Sequence, residues 1–186
     1  MTDVTIASVA TSKYARTEVE RRFLLAAAPE ADVLRVVDID DRYLEVARLR
    51  LRRQVERGGP AVYKLTQKLP RPGRFGEQGT ITTIYLEEHE HAALAILPAA
   101  GLRKVRLSIA PYGIDVFEGP LEGLVLAETE FVSAGEATAF RPAAFCRAEV
   151  TDDRRFTGGE LVRATRDQVA AWAAEYGVDL GARATT

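Results

Sequence analysis

Polar and apolar residues alternate along several segments of this chain with the two-residue period of β-strands. Because successive side chains of a strand point to opposite faces, residues two apart share a face. Residues 17–23 place Glu18, Glu20 and Arg22 together on one such face. Alternation or a strand-like composition predicts further strands at residues 48–53, 63–68, 80–86, 103–109, 112–118 and 124–132.

Three helices are predicted between and after these strands. Residues 29–36 are expected to form a short helix, and residues 87–97 a second one that stops before Pro98. The third begins near Thr157, because Glu160 three residues later can complete a capping box. The pattern therefore predicts a mainly β (α+β) protein, antiparallel in its sheet, with helices packed outside.

The composition fits one folded domain. The 186 residues are 47% hydrophobic and 28% charged, which is enough apolar surface for an ordinary core. We expect a single domain over residues 1–186, with a core of about residues 13–180 and short flexible ends. A single cysteine, Cys146, excludes an internal disulfide and any metal cluster built from cysteines.

Charge and hydropathy exclude some classes of partner. The formal net charge of −2 argues against a polybasic nucleic-acid coat. No apolar run has the length of a transmembrane helix, so we expect no membrane association. The first residues lack the basic and apolar regions of a secretory signal, and we therefore expect a cytoplasmic protein.

The small net charge conceals strong segregation of charge along the chain. Residues 42–74 hold ten Lys and Arg against two Glu, whereas residues 111–140 hold six acidic residues and no basic one. Along the predicted strands, an uninterrupted basic row is formed by Arg48, Arg50 and Arg52. Two further basic pairs lie on other strands, Lys64 with Lys68 and Lys104 with Arg106.

Two interpretations of these charged faces remain open at this point. An antiparallel sheet with one face in water shows the same alternation, with its charges outward. Alternatively, the sheet closes into a barrel and the charged faces line its lumen. Such a lumen would suit a chain of phosphates, which Arg and Lys bind, with Mg²⁺ or Mn²⁺ between the phosphates and the carboxylates.

An ordered set of motifs resembles the CYTH, or triphosphate tunnel metalloenzyme, superfamily. Its signature Glu-x-Glu-x-Lys is similar to TEVERRFLL, where Arg22 stands at the lysine position. Further similar segments follow in the expected order: ARLRLRR (47–53), YKLTQK (63–68), RKVRLSI (103–109), GIDVFEG (113–119), GLVLAETEF (123–131) and EVTDDRRF (149–156).

The resemblance implies an eight-stranded antiparallel β-barrel, the triphosphate tunnel, that hydrolyses a small-molecule triphosphate or polyphosphate with Mg²⁺ or Mn²⁺. We expect a monomer or a homodimer. The implied metal ligands are Glu18, Glu20, Glu128 and Glu130, with Asp115 as a weaker candidate. The implied phosphate-binding residues are Arg22, Arg48, Arg50, Arg52, Lys68, Lys104, Arg106 and Arg155. The implied catalytic residues are Glu18, Glu20 and Lys104.

The chain also departs from the superfamily pattern. Ile81 and Thr83 stand where many members have carboxylates, and Arg22 replaces a lysine. Two alternatives to a triphosphatase therefore stay open. One is a class IV-type adenylate cyclase, in which the 3′-hydroxyl of ATP attacks the α-phosphorus. The other is a polyphosphate- or nucleotide-binding module without catalysis.

Overall fold

A computed structural model describes residues 13–70, 73 and 75–181 of the chain. The predicted flexible ends and the segment tested for a secretory signal lie largely in residues 1–12 and 182–186, outside the described residues. The strands are β1 Arg16–Leu25, β2 Arg35–Leu44, β3 Leu49–Glu56, β4 Ala61–Leu69, β5 Glu77–Leu86, β6 Ala99–Ile109, β7 Tyr112–Phe117, β8 Val125–Glu130 and β9 Ala148–Glu149. The α-helices are α1 Glu88–Leu94, α2 Ala134–Ala139, α3 Gly158–Leu161 and α4 Arg166–Ala174. Single 3₁₀ turns occupy Gly119–Leu121 and Arg154–Phe156.

Eight of the strands form a closed antiparallel barrel, which confirms the predicted fold. Their order is β5-β4-β3-β2-β6-β7-β8-β1, and β1 pairs back onto β5. The first half of β1 closes the barrel, with Arg16 opposite Ile81 and Glu18 opposite Gly79. After a bulge at Glu18, the second half of β1 pairs with β8. The short β9 adds to β1 at Leu24.

Strand β2 is the clearest disagreement with the sequence analysis, because the helix predicted at residues 29–36 is wrong. Residues 26–34 form bends and irregular backbone, and the strand starts at Arg35. Val37 and Ile39 are buried whereas Asp38 and Asp40 are exposed, as a two-residue period requires. The predicted helix overlaps this strand only at Arg35 and Val36, which are opposite Ser108 and Leu107 of β6, so helical backbone there would break the end of the β2–β6 ladder.

The predicted C-terminal helix is interrupted. It consists of α3 and α4, separated at residues 162–165. The Thr157 side chain makes no capping bond and instead donates its hydroxyl hydrogen to the Arg154 carbonyl. The capping box forms at the start of α4, between Thr165 and Gln168. The sequence analysis also missed α2, which Ser133 caps by accepting a hydrogen bond from the Glu136 amide.

Two apolar clusters hold the barrel and its helices together. One lies outside β1, β7 and β8, where Phe23, Ile114 and Tyr112 pack against Phe140 and Phe145. The other joins the ends of several strands to the C-terminal segment. Its buried members are Leu24, Leu102, Phe117, Leu121, Leu124, Leu126, Val150, Phe156, Leu161, Val169, Ala173, Val178 and Leu180. The C-terminal segment therefore covers one end of the barrel with apolar side chains.

Across the part of the chain that the structure describes, none of the helices is long and apolar enough to cross a membrane. The cytoplasmic location and the oligomeric state stay predictions.

Candidate active site

The charged strand faces point into the barrel, so the interpretation that placed them in solvent is wrong. They line a cavity of about 1490 Å³. The cavity collects almost every charged residue implied by the superfamily motifs: Glu18, Glu20, Arg22, Arg48, Arg50, Arg52, Lys68, Lys104, Arg106, Glu128 and Glu130. Both signs of charge therefore lie in one lumen, which is the second of the two interpretations that the alternation left open.

A buried carboxylate on β2 holds the basic row of β3. Asp41 has no exposed surface, and its two oxygens accept hydrogen bonds from Arg52 Nε and Nη2 at 2.6 and 2.7 Å. Arg50 Nε lies 3.6 Å from the same carboxylate. Burial alone would raise the pKa of Asp41, but the hydrogen bonds from Arg52 and the charges of Arg50 and Lys104 lower it. The carboxylate is therefore ionised and partly neutralises the row.

Asp41 was absent from the sequence-based site because no strand was predicted at residues 37–44, where it lies. The signal that could have found it is its two-residue spacing from Val37 and Ile39, which both face the lumen. This spacing places Asp41 on the lumen side of the same strand.

A second buried carboxylate, Asp115 on β7, holds two cations of β6. It has no exposed surface, and Arg106 Nε and Nη2 donate to its two oxygens, each at 2.6 Å. Lys104 Nζ donates to the same carboxylate. Burial lowers the pKa of Lys104 more than the Asp115 charge raises it. Asp115 does not line the cavity, so the structure places this weaker metal candidate behind the cations and not beside the other carboxylates.

Cations also separate the glutamates at the junction of β1 and β8. Glu128 contacts Arg106 Nη2 at 2.5 Å and Arg22 Nε at 3.3 Å, while Arg22 Nη2 donates to Glu20. Despite burial, Arg106, Lys104 and Arg22 hold the pKa of Glu128 well below its usual value. Burial and the Glu128 charge, by contrast, raise the pKa of Glu20.

The other two glutamates lie next to these along the strands. Glu18 accepts two hydrogen bonds from Lys68 Nζ, both at 2.8 Å. Glu130 is opposite Glu20 in the β1–β8 ladder and lies 3.6 Å from Arg16 Nη2 in an exposed pair. Over the described ranges, no three acidic, His or Cys side chains converge in a ready-made metal cluster. The ion pairs explain this, since each glutamate is drawn toward a cation.

Among the residues that the structure describes, two buried donors of arginines that line the lumen lack a hydrogen-bond partner. They are Arg22 Nη1 and Arg50 Nε. A buried donor that is left unpaired costs free energy, on the order of 1–3 kcal/mol. Both arginines line the cavity, although these two atoms are themselves buried and Arg50 Nε lies 3.6 Å from Asp41.

The structure does not bring Arg155 to the other candidates. Its guanidinium pairs with Asp153 at 2.7 Å and with Glu175 at 2.7 Å, and it lies 5.7 Å from the ring centroid of Trp172. The neighbouring Arg154 lines the cavity instead. Arg154 and Arg155 lie in the 3₁₀ turn and point in different directions, and this turn was not predicted from the sequence.

The positions that depart from the superfamily pattern also face the lumen. Ile81 is buried, and the Thr83 hydroxyl lies 3.0 Å from the hydroxyl of Thr66 on the adjacent strand. This part of the β5 wall therefore offers an apolar group and a hydroxyl pair in place of carboxylates.

No family model matches the chain. A curated relative, the inorganic triphosphatase of Nitrosomonas europaea (strain ATCC 19718), is 33% identical over 157 residues, which are 78% of this chain and 96% of that protein. The chain belongs to the triphosphate tunnel metalloenzyme superfamily. The crystal structure of the inorganic triphosphatase NE1496 is similar to the present chain, with a TM-score of 0.54 and 28% identity, over 80% of this chain and 96% of the other. A second crystal structure, of the hypothetical protein NE1496, matches with a TM-score of 0.54 and 27% identity, over 80% and 99% of the two chains.

Proposed function

We propose that this chain hydrolyses a triphosphate inside the barrel, with inorganic triphosphate as the first candidate substrate. The observation that carries the proposal is the lumen itself, in which cations of strands β1, β3, β4 and β6 converge on one cavity together with glutamates. A small anion with several phosphates can contact cations of several strands at once, which a single phosphate cannot do. The name of the 33% identical relative supports the same substrate.

The phosphate chain is held by the cations that line the lumen: Arg22, Arg48, Arg50, Arg52, Lys68, Lys104 and Arg106. Arg22 and Arg50 contribute the two buried donors that lack partners. Asp41 and Asp115 stay behind the cations and fix the direction of Arg52 and Arg106, respectively. Positioned donors of this kind stabilise charge without reorganising during the reaction.

The glutamates fit a hard divalent cation such as Mg²⁺ or Mn²⁺, which prefers oxygen ligands. Glu18, Glu20, Glu128 and Glu130 would hold it, because they line the lumen on the adjacent strands β1 and β8. Burial and the Glu128 charge raise the pKa of Glu20, and a cation bound between the two carboxylates would reduce their repulsion. Such a cation, when bound, would neutralise phosphate charge and polarise the terminal phosphoryl group.

Hydrolysis then needs little from the protein beyond positioning and electrostatic stabilisation. A water oxygen attacks the terminal phosphorus and loses a proton to the solvent, and the bond from that phosphorus to the bridging oxygen breaks with its electron pair kept by the diphosphate, so that orthophosphate and diphosphate are released. Lys104 and Arg106, anchored by Asp115, donate hydrogen bonds to the transferred phosphoryl group. Glu18 and Glu20, which line the same cavity, would orient the attacking water.

The test is a phosphate-release assay over inorganic triphosphate, ATP, GTP and thiamine triphosphate, with Mg²⁺ and with Mn²⁺. We expect orthophosphate from inorganic triphosphate, with loss of at least about 100-fold in rate for Glu18→Ala or Glu20→Ala, the order of effect of removing one key electrostatic group. Glu88→Ala, an exposed glutamate on α1, is the matched control and keeps the native rate.

Product analysis separates the alternatives. Cyclic AMP and diphosphate from ATP, without orthophosphate, would identify a cyclase. A thermal shift with triphosphate but no turnover would identify a binding module. Either result contradicts the proposal.

A further inference from the structure

Lys64 is a lumen cation to which the superfamily motif gives no role. It lies on β4, two residues from Thr66 and on the same face, and it lines the cavity. In the strand ladder it is opposite Arg52 on β3 and opposite Tyr85 on β5. It therefore extends the basic row of β3 sideways onto the next strand.

The Lys64 amine is held in position by an aromatic ring. Its Nζ lies 5.2 Å from the ring centroid of Tyr85, a cation–π distance. The ring sits at the mouth of the lumen, since Tyr85 lines the cavity and is 71% exposed. This contact limits where the flexible lysine stem can place its charge.

Lys64 differs from the other lumen lysines in its partners. Lys68 contacts Glu18, and Lys104 contacts Asp115. Among the residues with described positions, no carboxylate forms an ion pair with Lys64. Its three donor hydrogens are therefore available to a ligand.

The surroundings of Lys64 disfavour its positive charge. Burial lowers its pKa, and the charges of Arg52, Arg50 and Arg106 lower it further, opposed by Glu130. Arg106 and Glu130 belong to β6 and β8, so Lys64 interacts with charges beyond the strands that flank it. A polyanion among these cations would remove the repulsion.

We propose that Lys64 is a further phosphate-binding residue, which contacts the substrate from the β4 wall and is aligned by the ring of Tyr85. This inference rests on the proposed triphosphatase function. It names a cation that the shared motif of the superfamily does not predict, on the same strand as Lys68.

The experiment compares Lys64→Met, Lys64→Arg and Arg53→Met with the native chain. Arg53 is exposed on β3, so its variant removes one positive charge of the same chain outside the lumen. The measurements are binding of inorganic triphosphate by calorimetry in EDTA, and KM and kcat for its hydrolysis with Mg²⁺. We expect Lys64→Met to raise Kd and KM about tenfold, as the loss of a charged hydrogen bond does.

The other variants separate binding from a structural effect. Lys64→Arg keeps the charge and we expect Kd within about threefold of the native value, while Arg53→Met stays at the native value. Tyr85→Leu, which removes the aligning ring, is expected to raise Kd about two- to fivefold. The kcat of Lys64→Met should change less than its KM, because uniform binding is lost.

Three outcomes overturn the inference. The first is native Kd and KM in Lys64→Met, and the second is a loss in Lys64→Arg as large as that in Lys64→Met. The third is an equal loss in Arg53→Met, which would indicate a general effect of net charge. A native chain that neither binds nor hydrolyses inorganic triphosphate overturns the proposed function as well, so the two failures are distinguishable.

Discussion

Neutralising Asp41 tests whether the basic lumen depends on buried counter-charges. In the native chain the carboxylate is fully buried and accepts two hydrogen bonds from Arg52, with Arg50 Nε at 3.6 Å. Asp41→Asn keeps the shape and one acceptor oxygen but removes the negative charge. Arg52, itself buried, is then left with an uncompensated charge next to that of Arg50.

The expected loss of stability follows from this geometry. Removing one partner of a buried ion pair costs about 3–5 kcal/mol. Because asparagine retains one hydrogen bond to Arg52, we expect the lower end, about 3 kcal/mol. For a chain of 186 residues this corresponds to a fall in the thermal midpoint of roughly 6–12 °C, at about 2–4 °C per kcal/mol.

The matched control is Asp38→Asn on the same strand. Asp38 pairs with Arg57 at 3.1 Å, but both side chains are at least half exposed. Exposed pairs contribute about 0–1 kcal/mol, so this variant should unfold close to the native midpoint. The assay is urea and thermal unfolding at pH 7.5 in a buffer free of phosphate.

The dependence on pH gives a second readout. The pKa of Asp41 is lowered in the folded protein, so its ionised form stabilises the fold above its unfolded pKa, about 3.9. That contribution is lost as the pH falls through the lowered value. The gap between the native chain and Asp41→Asn should therefore be constant near neutral pH and shrink only below about pH 4. Equal losses in Asp41→Asn and Asp38→Asn would refute the reasoning.

Three further predictions concern other parts of the site. Gly158→Ala should lower the free energy of unfolding by about 1–3 kcal/mol, because its new methyl group would overlap the Tyr43 hydroxyl. Gly159→Ala, whose methyl group meets nothing within 4 Å, should leave the free energy of unfolding unchanged, and urea unfolding measures both. Glu20→Gln should leave the metal-free protein at pH 8 at least as stable as the native chain. Burial and Glu128 raise the pKa of Glu20, so its ionised form is disfavoured in the folded protein, and a clear fall in the thermal midpoint of the variant would contradict this. Because Arg106, Lys104 and Arg22 outweigh burial and keep the pKa of Glu128 low, Glu128→Gln should weaken the loss of stability on acidification below about pH 4, measured by circular dichroism.

The strands with alternating charge could be predicted from sequence, and so could the inward face once the motif order was taken into account. In residues 17–23 and 48–53 the polar positions recur every second residue, and this period alone groups Glu18 with Glu20 and Arg48 with Arg50. The structure keeps both groupings in the lumen. The barrel closes through the pairing of β1 with β5, which no local sequence pattern specifies.

The missing strand β2 shows where local patterns stop being informative. Its Asp38, Asp40 and Asp41 gave the segment a polar composition that disfavours strands. Tertiary context outweighs this preference, because β2 fills the gap between β3 and β6 and satisfies their hydrogen bonds. The error also concealed Asp41, the counter-charge of the basic row.

Which cation contacts which carboxylate could not be predicted either, since it depends on the register between strands. Arg106 is opposite Asp115 and Arg22 is opposite Glu128, and a shift of one residue would reverse both faces. Sequence spacing within one strand identifies the set of charged side chains. The ladder decides their pairs.

The most direct test of the account is the stoichiometry of products from inorganic triphosphate, measured with the purified native chain and Mg²⁺ or Mn²⁺ and repeated in EDTA. We expect one orthophosphate and one diphosphate per substrate, and no release in EDTA. A correctly folded protein that releases no orthophosphate from inorganic triphosphate with either metal would contradict the central claim.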